Sequence, residues 1–347
     1  MSRSRTTLVT GGAGFIGTNM AHRLLEQGDR VVVLDDLSRP GVDSNLRWLR
    51  TTHGDRLQVE VGDVQDAAVV RRAVKDVDQV FHFAAQVAVT TSVTDPVHDF
   101  GVNLGGTLTV LEELRRLPSP PPLLFTSTNK VYGKCKDLEV VQEGDRYEAR
   151  DRTVRKHGIS ERQPLQFASP YGCSKGGADQ YVLDYADTYD LPAVVFRMSC
   201  IYGPHQCGNE DQGWVAHFLM RALDGEPITI YGDGRQVRDV LYVDDLLDAM
   251  QTATDQVDAL SGQAFNMGGG PDNTISLLEL LAMIAELGAP PQVAFGPWRV
   301  GDQRYYVSDT RRFSDATGWE PKVSPQRGVE QLHDWLAANR LSGSRAS

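Results

Sequence analysis

Tyr171 and Lys175 are the residues whose types and spacing first suggest chemistry. They lie four positions apart in SPYGCSKGGADQYV, a segment made mostly of small residues and helix formers. Residues with this spacing face the same side of a helix, so a phenol and an ammonium would be neighbours. A free phenol has a pKa near 10 and is a poor base at neutral pH, but a nearby cation favours the phenolate. The pair could therefore take a proton from an alcohol, although the same spacing also occurs in ordinary solvated helix pairs.

A second set of hydroxyl groups ends the apolar segment LLFTSTNKVYG. Thr126, Ser127 and Thr128 follow one another where this segment would leave a strand. We expect one of the three hydroxyls to lie beside the tyrosine and to share the hydrogen bond of a substrate alcohol. Together these groups predict a site that interconverts an alcohol and a ketone, which requires a hydride acceptor.

A glycine-rich turn near the amino terminus provides for such an acceptor. In LVTGGAGFIGTNMAHRLLEQG, Gly11, Gly14 and Gly17 stand between a predicted strand and a predicted helix. Their roles would be a tight turn, close approach of a pyrophosphate to the backbone, and close helix–strand packing. The phosphate charge would meet the unpaired N–H groups at the helix start, near Phe15 and Ile16. The turn therefore predicts a dinucleotide site; a glycine turn without ligand is the alternative.

Asp35 indicates which dinucleotide the turn would bind. It ends the second predicted strand, 18 residues after Gly17, where a carboxylate accepts from both ribose hydroxyls and repels a 2′-phosphate. NAD is therefore favoured over NADP, although Arg39 is a counter-signal. Further residues predicted to contact the cofactor follow the second, third and fourth strands: Asp36, Ser38, Asp63, Val64, Phe83, Ala84, Ala85 and Gln86.

The elements that would position these residues alternate between strand and helix. Apolar strands at TTLVT, RVVVLD, LQVEVGD, QVFHFAA, PLLFTS and PAVVFRMS are separated by amphipathic stretches, including residues 15–28, 95–117 and a helix after Tyr171. Strands of this kind are buried on both faces of a parallel sheet. The fold class predicted is α/β, a Rossmann-type doubly wound parallel sheet with a smaller mixed carboxy-terminal lobe.

Two domains are predicted. Residues 1–199 would form the NAD-binding domain, and residues 200–340, which are rich in turns, would form a substrate-binding lobe that is discontinuous with the first. Residues 134–168 are polar and lack periodicity, so we predict a long irregular excursion over the substrate side.

Composition excludes several classes of protein. The chain has 347 residues and a net charge of −11, which disfavours a nucleic-acid surface. No apolar run approaches the roughly 20 residues that span a bilayer. Four scattered cysteines without CxxC spacing predict a reducing, cytoplasmic location. We predict no metal site, and we expect His82, within the strand VFHFAA, to be a satisfied core residue.

Motifs along nearly the whole chain resemble the extended short-chain dehydrogenase/reductase superfamily of nucleotide-sugar enzymes. TGGAGFIG, FHFAAQ, NLGGT, STNKVYG, YGCSK, FRMSCIYGP, YGDGRQVRDVLYVDD and RVGDQR occur in the order of that superfamily. The resemblance implies that Thr128 is the catalytic hydroxyl, Tyr171 the base and Lys175 its helper. It also implies that Asn103 bridges the sheet near the cofactor and that Val87 contacts substrate. Arg238 and Arg299 match arginines that bind the substrate diphosphate.

The residues after Thr128 bear on the reaction. Sugar 4,6-dehydratases of the superfamily carry Asp-Glu there, whereas this chain has Asn129 and Lys130, which cannot supply an acid and a base for loss of water. The segments STNKVYG, SPYGCSKGGADQYVLDYA and EDQGWVAHF are most similar to the CDP-paratose (CDP-tyvelose) 2-epimerase family. That similarity implies oxidation at carbon 2, rotation of the ketone and return of hydride. Lys130 could stabilise the developing oxyanion or could simply be solvated.

Other hypotheses stay open at this stage. Cys200 and Ile201 replace an asparagine that many relatives place before YGP, so a 4-epimerase, including one acting on a UDP-sugar or UDP-uronic acid, is an alternative. A non-catalytic NAD-binding sensor is the alternative from another class. Relatives commonly pair through two helices, which implies a homodimer that uses the helices at residues 95–117 and 170–190.

Overall fold

The computed structural model describes residues 4–299 and 302–343. Within these ranges the strands are β1 (Thr6–Thr10), β2 (Arg30–Asp35), β3 (Leu57–Val61), β4 (Gln79–His82), β5 (Leu123–Thr128), β6 (Val140–Glu143), β7 (Arg146–Ala149), β8 (Ala193–Met198), β9 (Cys200–Tyr202), β10 (Ile228–Tyr231), β11 (Val237–Tyr242), β12 (Gln263–Met267), β13 (Thr274–Ser276), β14 (Val293–Gly296) and β15 (Tyr305–Tyr306).

The helices of the same ranges are α1 (Phe15–Glu26), α2 (Val42–His53), α3 (Ala67–Ala73), α4 (Val89–Thr94), α5 (Pro96–Phe100), α6 (Gly106–Arg115), α7 (Arg152–His157), α8 (Ser169–Thr188), α9 (Trp214–Asp224), α10 (Val243–Asp255), α11 (Val257–Leu260), α12 (Leu277–Glu286), α13 (Arg311–Thr317) and α14 (Pro325–Gly343). No helix in the described part of the chain combines the length and apolarity needed to cross a membrane.

Seven strands form one parallel sheet in the order β12-β8-β5-β4-β1-β2-β3. In its centre, Leu8 of β1 pairs with Val32 of β2 on one side and with Val80 of β4 on the other. Such strands are buried on both faces, which is why they read as continuous apolar runs. The predicted Rossmann-type α/β fold is confirmed.

Helices α3, α6 and α8 cover one face of this sheet. Val70, Leu111 and Val182, one from each helix, pack into a single apolar cluster with Leu8 and Phe125 of the strands. All five side chains are fully buried. The helices that carry site residues are therefore fixed to the sheet by apolar packing.

The strand order changes direction between β3 and β4. The chain runs from β1 outward to β2 and β3, then returns to β4 on the other side of β1. The carboxyl ends of β1 and β4 therefore lie side by side at a topological switch point, where open α/β sheets hold their ligands. An added Cβ on Gly11, after β1, would come within 2.7 Å of the Ala84 nitrogen, after β4.

The chain forms two compact units, and each unit contains three segments of the sequence. The first contains the residues up to Val131, Phe167–Arg197 and Leu247–Phe265; the second contains Tyr132–Gln166, Met198–Leu246 and the residues from Asn266 onward. In the second unit, β11 pairs antiparallel with β13 and parallel with β9 and β15, and β10 pairs with β14. The functional boundary drawn at residue 199 stays a prediction.

The segment at residues 134–168 is more regular than predicted. It contains the antiparallel hairpin β6–β7 and the helix α7. Gly144, at a φ of 59°, turns the chain between the two strands, and glycine adopts that left-handed conformation without strain. Asp151 caps α7 by accepting from the Thr153 and Val154 N–H groups. Strands of four residues are too short for an alternation of polar and apolar side chains to be recognised in a segment with many charged residues. The expectation of an irregular segment was therefore wrong.

The predicted helix at residues 95–117 is interrupted. Helices α5 and α6 are joined by a π-helical segment, Gly101–Gly105, and the short helix α4 precedes them. Single π-helical turns often occur at functional sites, and this one contains Asn103.

Candidate active site

The glycine turn after β1 has the shape that a pyrophosphate requires. Gly11 adopts a φ of 66°, and an added Cβ on Gly17 would lie 2.2 Å from the Gly11 oxygen. Gly14 is the N-cap of α1 and has no side-chain cap. The N–H groups at the start of the helix are therefore available to an anion, and the backbone is open to close approach. Phe15 and Ile16, the first residues of α1, are partly exposed beside this turn.

Asp35 lies at the end of β2, next to the turn. Its carboxylate accepts from the N–H groups of Ala13 at 3.0 Å and Leu37 at 2.9 Å. Burial raises the pKa of Asp35, while these two hydrogen bonds oppose the increase. Asp36 accepts from the N–H and the hydroxyl of Ser38. The carboxylate is thus held rigidly where a ribose would meet it.

The residues after β3 and β4 complete the predicted cofactor surface. Asp63 accepts from the backbone N–H of Gln65 at 2.8 Å, and Val64 is buried. After β4, the residues from Phe83 to Val87 are partly exposed. The side-chain oxygen of Gln86 is buried and has no hydrogen-bond partner among the described residues. A buried acceptor of this kind fits a ligand donor.

Asn103 connects two elements of the candidate site. Its side-chain oxygen accepts from the backbone N–H of Gln86 at 2.9 Å, and its side-chain nitrogen donates to the backbone carbonyl oxygen of Gln86 at 3.0 Å. The same nitrogen lies 3.1 Å from an oxygen of Asp99 and 3.1 Å from the Ser174 hydroxyl. Asn103 therefore links the loop after β4 to helix α8.

Sequence reasoning missed Asp99 and Ser174. Asp99 is 1% exposed, and its second oxygen accepts from the Ser174 hydroxyl at 2.5 Å. Its charge acts on both Tyr171 and Lys175. The only sequence signal is that Ser174 adjoins Lys175, because Asp99 is brought there by the packing of α5 against α8.

The predicted reactive groups meet in the structure. The hydroxyl of Thr128, at the end of β5, hydrogen-bonds the phenol of Tyr171 in the first turn of α8. Lys175, one turn further on, is 3% exposed, and its ammonium lies 4.2 Å from the centroid of the Phe125 ring. Thr128 is therefore the one of the three hydroxyls that touches the tyrosine.

The remaining residues after β5 have other contacts. Thr126 donates to the His82 carbonyl at 3.3 Å, and the buried Ser127 hydroxyl has no partner among the described residues. Asn129 is buried and accepts from Thr128 at 3.5 Å, and the Lys130 N–H donates to the Thr128 hydroxyl oxygen at 3.2 Å. Thr128 is thus held by its own neighbours.

Burial outweighs the expected lowering of the tyrosine pKa. Burial raises the pKa of Tyr171 to about 12; the Thr128 hydrogen bond lowers it, and the negative charge of Asp99 raises it further. Burial also lowers the pKa of Lys175 to about 7, which Asp179 and Asp99 oppose. Burial penalises the charged form of each group, so it favours the neutral phenol and the neutral amine.

His82 is a satisfied core residue, as predicted. Its Nδ1 lies 2.6 Å from the Thr10 hydroxyl and its Nε2 lies 3.1 Å from the Thr107 hydroxyl. The side chain is fully buried. Both ring nitrogens have partners, so the residue offers no free ligand atom.

The two predicted phosphate-binding arginines lie in the second unit. Arg238, in β11, donates to Asp302 at 2.8 Å and to the Val237 oxygen at 2.8 Å. Arg299 lies 4.0 Å from the centroid of the Tyr231 ring, and it donates to the Glu210 carbonyl at 2.9 Å.

Two other features of the second unit bear on the sequence motifs. Val300 and Gly301 of the RVGDQR motif lie outside the described residues. Cys200 accepts a hydrogen bond from the Trp214 indole at 3.4 Å.

Comparison with known proteins agrees with this geometry. The model of the NAD dependent epimerase/dehydratase family matches residues 7–268. The chain is 41% identical over 339 residues to CDP-paratose 2-epimerase of Salmonella typhi, covering 95% of this chain and 99% of that protein. It is 35% identical to UDP-glucose 4-epimerase of Mycolicibacterium smegmatis, with 95% and 98% covered.

A solved structure shows the same fold with its cofactor. The UDP-glucose 4-epimerase of Thermus thermophilus, in complex with NAD, superposes with a TM-score of 0.79 at 34% identity, covering 96% of this chain and 99% of that one. The glycine turn, the partnerless Gln86 oxygen and the Tyr171 hydrogen bond all fit the same cofactor. The chain is an enzyme of the NAD dependent epimerase/dehydratase family, and its cofactor is NAD.

Proposed function

We propose that the enzyme is a nucleotide-sugar 2-epimerase that acts on a CDP-linked sugar through a transient 2-keto intermediate. The observation that carries this proposal is the Thr128–Tyr171 hydrogen bond, with neutral or cationic side chains at Asn129 and Lys130 where a dehydratase needs two carboxyls. The carbon position and the nucleotide base rest on the 41% identity to a CDP-paratose 2-epimerase.

The protein groups handle the proton of the substrate hydroxyl. Thr128 and Tyr171 already share a hydrogen bond, so a sugar hydroxyl placed between them would donate to the phenolate and accept from the threonine. Tyr171 takes the proton when the carbon is oxidised and returns it when the carbon is reduced. Because the hydride would leave and return at one fixed position, the sugar must present the other face of its ketone between the two steps.

The cofactor would be held by the residues of the first unit. The glycine turn would bind the pyrophosphate, Asp35 the adenine ribose, and Lys175 the nicotinamide ribose. When bound, NAD accepts hydride from the sugar carbon and gives it back, so none is consumed. The phenol of Tyr171 would then lie near a positive ring, which opposes the effect of burial on its pKa.

The diphosphate of the substrate would be bound by Arg238 and Arg299. A guanidinium forms bidentate, charge-assisted hydrogen bonds with phosphate oxygens. Both arginines now contact carbonyl oxygens or carboxylates, Asp302 in the case of Arg238. A phosphate would therefore replace oxygen acceptors that the two guanidinium groups already contact.

A 4-epimerase acting on a UDP-linked sugar is the second candidate. It is favoured by the 35% identity to a UDP-glucose 4-epimerase and by the fold shared with another at a TM-score of 0.79. The Thr–Tyr–Lys arrangement serves oxidation at either carbon equally well, so the sugar's orientation in the pocket decides between them.

Isotope labelling separates the two candidates. Purified enzyme is incubated with CDP- and UDP-linked sugars that carry deuterium at carbon 2 or at carbon 4, and the product is identified by NMR. We expect inversion at carbon 2 and a slowed rate only with the carbon 2 label. Slowing by the carbon 4 label alone would establish the 4-epimerase.

Substitution of the base tests the chemistry. We expect Tyr171→Phe to lower turnover by about 10²-fold or more while NAD stays bound. Tyr181→Phe is the matched control, because Tyr181 lies on the same helix but is 43% exposed. Normal activity of Tyr171→Phe would disprove the mechanism. Inactivity of the wild type with every nucleotide sugar, with NAD bound, would favour a non-catalytic sensor.

A cytosolic homodimer is the assembly we propose. Helices α4, α5 and α8 expose apolar side chains that a partner helix pair could cover: Val93, Val97, Phe100 and Tyr181. The cysteines are all thiols rather than disulfides, in keeping with a reducing compartment: Cys135, Cys173, Cys200 and Cys207. Sedimentation of Val97→Asp as a monomer, with the wild type as a dimer, would support this interface; a wild-type monomer would refute it.

A further inference from the structure

Two histidines and a glutamate meet at the far end of helices α1 and α2. His22 and Glu26 lie one turn apart on α1, and His53 is the last residue of α2. The Nδ1 atom of His22 is 2.9 Å from the Nε2 atom of His53. One possible ligand atom from each of the three residues lies within 4.8 Å of the others.

The distance between the two ring nitrogens is informative. Imidazole nitrogens bind Zn²⁺ at about 2.0–2.1 Å. Two of them would therefore lie about 2.9 Å apart at a right angle and about 3.3–3.4 Å apart in a tetrahedral site, and the observed distance of 2.9 Å lies at the lower end of that range. Neutral imidazole suits Zn²⁺, Ni²⁺ and Cu²⁺. The two nitrogens either share one proton in a hydrogen bond or hold one cation between them. The Glu26 carboxylate is a third possible ligand within reach.

The surroundings keep the two rings in place. His22 packs against Trp48 with ring centroids 4.9 Å apart, and the Trp48 and His53 rings are 6.5 Å apart, edge to face. The His53 side chain is 1% exposed, whereas Glu26 is 61% exposed and lies 3.6 Å from the Nδ1 atom of His53. The buried ligand is thus fixed, while the carboxylate has room to change rotamer.

We propose that His22, Glu26 and His53 form a binding site for a divalent transition-metal ion of the Zn²⁺ or Ni²⁺ class, with water completing its coordination. The ion would join the carboxyl ends of α1 and α2. This site is separate from the catalytic residues and is independent of the proposed function. No spacing motif reveals it, because His53 follows Glu26 by 27 positions.

Calorimetric titration of the full-length protein with Zn²⁺ tests the proposal. We expect one ion per chain, and weaker binding by at least about tenfold in His22→Ala. Glu26→Gln should weaken binding by a smaller factor. His157→Ala is the matched control, since His157 lies at the end of α7 in the second unit, and its substitution should leave the affinity unchanged.

The outcomes are distinguishable without reference to catalysis. His22 and Glu26 are not core residues, so their variants should fold, which circular dichroism checks. Equal affinity of the wild type and His22→Ala would overturn the site, as would the absence of binding at millimolar Zn²⁺. In the latter case the pair simply shares a proton.

Discussion

His82 should make the enzyme sensitive to acid, because its ring is fully buried and a protonated ring would place a charge in the protein interior. Thr10 and Thr107 contact its two ring nitrogens, and burial lowers its pKa to about 3, with a smaller contribution from the charge of Lys175. In the unfolded chain a histidine titrates near 6.5. Between these values the unfolded state binds more protons, so stability is lost as the pH falls below 6.5.

The magnitude follows from the difference in pKa. Each pH unit below the unfolded-state pKa of about 6.5 lowers the free energy of unfolding by about 1.36 kcal/mol. A pH of 4.5 lies about two units below that pKa, so lowering the pH from 7 to 4.5 costs about 2.7 kcal/mol of stability. The carboxylates also titrate over this range, so the measurement must compare the wild type with a variant that lacks only this proton site. His82→Gln serves this purpose, since the amide keeps a donor and an acceptor but does not titrate.

Urea unfolding of both proteins at pH 7 and at pH 4.5 is the assay. At pH 7 we expect His82→Gln to be less stable, because its side chain fills the buried space less well than the imidazole does. At pH 4.5 the difference between the two proteins should shrink by about 2.7 kcal/mol. A difference that is the same at both pH values would show that His82 does not resist protonation and would refute the reasoning.

Three further substitutions test the site itself. Gly17→Ala should weaken NAD binding strongly, because its Cβ would lie 2.2 Å from the Gly11 oxygen; unchanged affinity in a fluorescence titration would contradict the packing role. Asp99→Asn should move both limbs of the pH–rate profile to lower pH, by about one unit, because the Asp99 charge raises the pKa of the tyrosine base and of Lys175. A lower rate at every pH, with both limbs at their wild-type pH values, would indicate that Asp99 has only a structural role. Phe125→Leu should move the alkaline limb of the pH–rate profile to lower pH than in the wild type, because a buried cation–π contact stabilises the Lys175 ammonium by about 2 kcal/mol. An unmoved limb would show that the ring does not stabilise the charge.

The sequence determined the fold and most of the reactive groups. Parallel strands buried on both faces must be apolar throughout, so the alternation of apolar runs and helices predicted the sheet. Glycine turns and a four-residue helical spacing involve only residues that are close in sequence, so both can be recognised from the sequence alone. Gly11, Tyr171 and Lys175 could therefore be assigned from local patterns alone, and the choice of Thr128 came from the resemblance.

Tertiary structure alone decided what surrounds those groups. Asp99 lies beneath the tyrosine and lysine because α5 packs against α8, and no spacing along the chain encodes that contact. The direction of the Tyr171 pKa could not be predicted either, since burial and charge act in opposite senses and only the fold sets their balance. His22 and His53 approach each other for the same reason: helix packing brings together residues that are far apart in sequence, and their chemistry depends on distances that only the folded chain defines.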